Sequence, residues 1–322
     1  MSAVLLGVFS APIGADTPLP PPAPAPAAPA ASPEALAEVI VQAPEPKYVA
    51  PTRRDRIGRI WAPVMIDGKG PFRLVLDTGA TGSAITASAA QLLGIPINPD
   101  SEAHVTGFTG SAVVPIIRVD TLEVGDLFLG PAHLPVLADV FGGAQGVLGS
   151  EGLANKRIYA DFTEDRLTIT RSHGEHARGG FSTVPLKVVR GLLVADVMVG
   201  PVPAKAIIDT GAQGTVGNLA LQNALMRKAP RGTTRTDIMG VTLDVQSGDY
   251  LMAPDIDFGG HMKVRGIRIT FGDMYVFQHW GYAETPALTL GMDLLGTFDV
   301  LVIDYARSEL QIRFHGGSYS DY

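Results

Sequence analysis

Two short tracts carry residues suited to acid–base chemistry. Asp77-Thr78-Gly79-Ala80 follows the apolar run Leu74-Val75-Leu76, and Asp209-Thr210-Gly211-Ala212 follows Ala206-Ile207-Ile208. A carboxylate at the end of a buried strand is costly unless something satisfies it. The glycine two residues on lets the backbone turn sharply and offers an N–H at close range. The threonine hydroxyl is free to bond the opposing copy. If folding brings the two tracts face to face, two carboxyls at about 3 Å cannot both ionise, so they share a proton and titrate at separated values. One carboxylate then acts as base on a water held between them, and the other, protonated, acts as acid toward a carbonyl oxygen.

Each tract sits in the same frame. Pro63–Leu76 and Val194–Ile208 both read as strand, tight Gly/Pro turn, strand, ahead of the aspartate. A capped helix follows each: Thr86 caps Ala87–Leu93, closed by Gly94, and Asn218 caps Leu219–Lys228. Downstream, Gly146-Val147-Leu148-Gly149 leads to Asp161 and Arg166–Thr170, and Thr289-Leu290-Gly291 leads to Asp304 and Glu309–Arg313. One Asp-Thr-Gly is ordinary turn chemistry; two in a matching frame make a duplicated β-rich unit of roughly 120–140 residues per copy.

At these residues the sequence resembles the aspartic proteases. The alanine after Asp-Thr-Gly in both copies is similar to the retropepsin-like branch, and two copies in one chain is a pepsin-like layout. The resemblance spans residues 57–315. It implies a mostly-β, two-lobed acid-protease fold: duplicated, closed β-barrel-like lobes with a cleft between them, an N-terminal lobe over 57–172, an interlobe linker over 173–181 and a C-terminal lobe over 182–315. It implies that Asp77 and Asp209 are the catalytic pair. Thr78 and Thr210 would be the cross-lobe hydroxyls, and Gly79 and Gly211 would present N–H groups to the carboxylates. Val147-Leu148-Gly149 and Thr289-Leu290-Gly291 match the element through which each Asp loop is threaded. The flap over the cleft maps to Thr106, Gly107, Phe108, Thr109 and Gly110, with Met239-Gly240-Val241 in the corresponding place of the second lobe. The implied substrate is a polypeptide, with no cofactor and no metal, and a chain carrying both halves is expected to work as a monomer.

The copies differ after the alanine, where Thr81 stands in one and Gln213 in the other. That asymmetry keeps open a peptide-binding module that does not cleave. A glycoside hydrolase also uses paired carboxyls, but sets them at least about 5 Å apart.

Composition narrows the classes further. The 322-residue chain is 46% hydrophobic with a net charge of −7, which argues against nucleic acid as partner. It has no cysteine, hence no thiol nucleophile or disulfide framework. Residues 1–15 are apolar and resemble a signal-peptide core too short to span a bilayer. Residues 16–56 hold a Pro/Ala-rich tether or prosegment, with a short helix expected over 34–42, and 316–322 form a tail. Export to a bacterial periplasm, and processing of an envelope protein there, is the expected setting.

The remaining candidates read as structural. Gly142–Gly146 lacks the Lys-Ser/Thr of a phosphate loop and is expected to be a turn, as are Asp161 and Asp304. Tyr275, Phe277, His279 and Trp280 form an expected core or lobe-interface cluster. His104 and His133 are expected to be solvated, and Arg53–Arg56 exposed.

Overall fold

A computed structural model describes residues 50–51 and 59–314, apart from 99, 126, 152, 175, 177–178, 229–231 and 260–261. The expected signal peptide, nearly all of the tether, the helix over 34–42, Arg53–Arg56 and the tail lie outside the described residues. Within the tether segment, Ala50–Pro51 pairs with Leu167 and Arg166.

The strands follow from period-two burial. In Trp61–Ile66 every second residue (Ala62, Val64, Ile66) is buried and the residues between are half-buried. Its hairpin partner Lys69–Leu76 is exposed at its start and wholly buried by Leu74–Leu76, so the aspartate that follows arrives inside the protein. The tight turn between them has both residues at positive φ, Asp67 at 49° and Gly68 at 69°, and the Asp67 carboxylate accepts the N–H groups of Asp120 and Thr121. The equivalent hairpin, Leu192–Val199 with Val202–Ile208, turns at Gly200 with φ 54°.

Among the described residues, each lobe is built on one curled sheet, and the two sheets agree strand for strand. In the first the order is 102–106, 111–119, 132–137, 84–86, 146–148, 69–76, 61–66, 122–124, 127–129. In the second it is 234–239, 245–252, 268–271, 216–217, 287–290, 202–208, 192–199, 256–257, 263–264, with 187–189 added beside 192–199. A third, six-stranded sheet takes three strands from each side, ordered 50–51, 166–171, 156–161, 300–304, 309–313, 182–185. Its centre is the antiparallel pair in which Tyr159 faces Val302, so it joins the lobes about a local two-fold. This is the two-lobed β acid-protease fold.

Asp161 and Asp304 end the central strands of this joining sheet. Asp161 closes a turn by accepting the N–H of Thr163 and Glu164 and the Thr163 hydroxyl. Asp304 caps a turn through Arg307 N–H and also binds Ser172 and the Arg157 guanidinium, the last at 3.1 Å, which ties the lobes together. In the interlobe segment, Gly174 and His176 both contact Arg307. Gly142 and Gly143 take positive φ in a turn, and both helix caps form: Ala89 N–H bonds Thr86 Oγ1 and Leu221 N–H bonds Asn218 Oδ1. His104 and His133 are exposed.

Candidate active site

In each lobe a short strand is threaded between the two strands that flank the Asp loop. Gly146–Leu148 pairs in parallel with Leu74–Leu76 before the aspartate and antiparallel with Ala84–Ile85 after it. Thr289–Leu290 and Val216–Gly217 repeat this around Asp209. The Asp77 N–H donates to Leu148 O at 2.9 Å and the Asp209 N–H to Leu290 O at 3.1 Å. These pairings leave little freedom in where either carboxyl can stand.

The local geometry is duplicated almost bond for bond. Asp77 Oδ1 accepts the N–H groups of Gly79 at 2.9 Å and Ala80 at 3.0 Å; Asp209 Oδ1 accepts those of Gly211 at 3.1 Å and Ala212 at 2.9 Å. Thr78 Oγ1 donates to Ile208 O across the interface at 2.8 Å, and Thr210 Oγ1 donates to Leu76 O at 2.7 Å. Each hydroxyl also accepts the other threonine's N–H, at 3.1 and 3.2 Å. Buried hydroxyls with both roles filled fix the two loops against each other. Glycine is required by close approach: a Cβ at Gly79 would stand 2.6 Å from Asp209 Cγ, and one at Gly211 would collide with the Asp77 carboxyl.

Asp77, Thr78, Asp209 and Thr210 are all fully buried. The Asp209 carboxyl packs against Gly79 and the Asp77 carboxyl against Gly211, which brings the two carboxyls together at the lobe interface. Their Oδ2 atoms are buried and take no bond from any N–H or O–H donor among the described residues. Burial raises both carboxyls above the usual carboxylate range, and the Asp209 charge raises Asp77 further, while the loop N–H groups pull the other way. Burial and mutual repulsion thus favour keeping a proton on the pair at a pH where an isolated aspartate has lost its own.

The tip Thr106–Gly110 is clasped by the second lobe. Thr109 Oγ1 donates to Asp244 O at 2.8 Å and accepts the Gly240 N–H at 3.1 Å, and Gln246 Nε2 donates to Thr109 O at 3.1 Å. Phe108 is fully buried, edge-on to Phe277 with centroids 6.0 Å apart, and its carbonyl accepts the Val276 N–H. Phe277 packs edge-on against Trp280 at 5.8 Å, so those two form a buried lobe-interface cluster, whereas Tyr275 and His279 are exposed. Met239-Gly240-Val241 does lie at the opposing hairpin tip, between strands Thr234–Met239 and Val245–Met252.

Residues 62–151 match the aspartyl protease family. The matched stretch contains Asp77-Thr78-Gly79, the tip Thr106–Gly110 and Leu148-Gly149, and it supports peptide-bond hydrolysis as the class of reaction. The second lobe lies beyond the match and repeats the strand order of the first. No curated protein matches the chain.

Sequence reasoning missed three groups near the pair. Glu151 and Asp293 bind the far side of the two Asp loops, and Tyr305 places a buried hydroxyl, without a partner among the described residues, within the electrostatic reach of Asp77. Burial first, and then the Asp77 charge, raise the Tyr305 phenol and keep it neutral. The repeat held a signal for the first two: Ser83 and Thr215 each stand six residues after an aspartate, and Glu151 and Asp293 each stand two after a threaded glycine.

Proposed function

We propose that the chain is an aspartic endopeptidase in which Asp77 and Asp209 activate water against a peptide bond. The observation that carries this is the pair of fully buried carboxyls, each held by the same two loop N–H groups and each packed against the other loop's glycine. In the reacting complex the ionised carboxylate takes a proton from water. The hydroxide adds to the scissile carbonyl carbon, and the carbonyl oxygen takes the proton of the other carboxyl. Collapse of this tetrahedral adduct re-forms the C=O bond, breaks C–N and returns a proton to the departing amine. The dyad ends as it began, with one proton between two carboxyls.

Thr78, Thr210, Gly79 and Gly211 hold the pair, and Thr106–Gly110 is the flap. With the dyad fully buried beneath the clasped tip, the clasp must open to admit an extended peptide, whose backbone pairs with the tip strand. The Gln213 asymmetry does not reach the carboxyl, because Asp209 receives the same pair of N–H donors as Asp77; this favours cleavage over mere peptide binding. Among the described residues no helix is long and apolar enough to cross a membrane. The apolar start and Pro/Ala tether support export and the processing of an envelope polypeptide by a monomer.

The test is incubation of the purified chain with unfolded protein and identification of the cut sites. The wild type should generate new termini, while Asp77→Asn and Asp209→Asn, both folded, should generate none. Cleavage retained in either variant would overturn the assignment.

A further inference from the structure

Behind each Asp loop the two lobes make the same knot from different residues. In the first lobe the Ser83 N–H donates to both carboxylate oxygens of Glu151, each at 2.8 Å. Ser83 Oγ in turn accepts the Gly149 N–H at 3.1 Å. In the second lobe the Thr215 N–H donates to Asp293 Oδ2 at 3.0 Å and the Thr215 hydroxyl donates to Asp293 Oδ1 at 2.8 Å. The Gly291 N–H donates to Thr215 Oγ1 at 3.3 Å. Backbone bonds complete both knots: Ser150 N–H to Ala80 O at 2.8 Å, and Met292 N–H to Ala212 O at 2.9 Å.

The glycines make the contact possible. A Cβ at Gly149 would stand 2.5 Å from Gly82 C, and one at Gly291 2.6 Å from Gly214 C, so the threaded strand and the loop end lie backbone on backbone. The N–H groups of Ser83 and Thr215 at this crossing are left over from the sheet ladder. A backbone donor held away from water must find an acceptor. The carboxylates supply it. Ala80 and Ala212, whose N–H groups bind Asp77 and Asp209, sit in the same turn, three residues upstream of the anchored N–H.

We propose that Glu151 and Asp293 are positioning residues that hold the two Asp loops in the shape that aims their N–H groups at the carboxyls. This rests on the hydrolytic reading for its functional consequence, but not for its structural one. Neither residue touches the dyad. Among the described residues the ionisable side chain that acts on Asp77 is Asp209, not Glu151, so a change at Glu151 reaches the dyad through the loop. Loosening the loop weakens the N–H bonds that oppose the upward shift of the pair, so the dyad's acid limb moves to higher pH.

Two readouts test it together: local amide exchange, which needs no activity, and steady-state kinetics on an unfolded polypeptide. Glu151→Ala should speed exchange over 77–83 by about tenfold or more while the joining strand 300–304 keeps its protection. It should also lower kcat about 10- to 100-fold with KM within about twofold and shift the acid limb upward. Glu151→Asp, which gives the first lobe the carboxylate of the second, should restore most of both. Asp293→Ala should do the same to 209–215, and decides the matter if Glu151→Ala does not fold. Unchanged exchange over the loops, or acceleration spread equally through 300–304, would overturn the proposal. A wild type that cuts nothing would fell the endopeptidase reading alone, and local exchange would still decide the brace.

Discussion

The floor of the cleft and its roof obey different rules. On the floor the two lobes match donor for donor: each aspartate has the same two loop N–H groups, and each threonine gives and receives the same cross-lobe bonds. At the roof the tips share Gly-apolar-Thr, with Phe108 and Val241 both buried, but their bonding is one-sided: Thr109 supplies its hydroxyl, whereas Gly240 and Asp244 answer with a main-chain N–H and carbonyl. Two-fold repetition gives the two carboxyls matching local donors. Closing over a peptide, which has direction, demands no such equality.

The largest expected effect probes the floor. Asp77→Asn and Asp209→Asn should each lower kcat by at least about 10²–10⁴-fold, and by similar amounts. A large inequality in single-turnover rates would mean that the lobes are not equivalent where the geometry says they are. Next come the hydroxyls. Thr78→Val and Thr210→Val each leave a buried carbonyl and a buried N–H without their partner, and should each destabilise by about 1–3 kcal/mol in denaturant titration, again near-equally.

A thermal measurement separates the chemistry of the pair from its effect on folding. A carboxyl whose pKa is raised in the folded state stabilises most at low pH. Its contribution falls as pH rises from the unfolded carboxylate range through the raised value. Asp77→Asn removes that penalty. Its Tm should therefore exceed the wild type's at neutral pH, by about 2–4 °C for each kcal/mol relieved, and the gap should close in acid. The smallest effects belong to the roof and should be unequal. Phe108→Ala should raise kcat/KM for a short peptide by up to about tenfold by weakening the clasp, while Val241→Ala on the opposing tip should change it less than about twofold.

What the sequence made legible was what is local or repeated. Thr86, Gly94 and Asn218 announce helix ends because capping is a matter of a few neighbouring residues. Asp-Thr-Gly-Ala announced the floor because it occurs twice in one frame. The braces were visible only as a repeated spacing, because Glu151 meets Ser83 and Asp293 meets Thr215 through strand threading that joins residues far apart along the chain. The clasp was less legible still: Thr109 and Asp244 lie on separate hairpins, 135 residues apart, and only the joining of the lobes brings them together.

The claim beneath all of this is that the pair holds a single proton between its two carboxyls. Carbon-13 titration of the aspartate side-chain carboxyls, assigned with the two asparagine variants, measures it directly. The expected result is two well-separated steps belonging to Asp77 and Asp209 together, with the second proton lost far above the ordinary aspartate range. Two independent titrations near about pH 4 would contradict it.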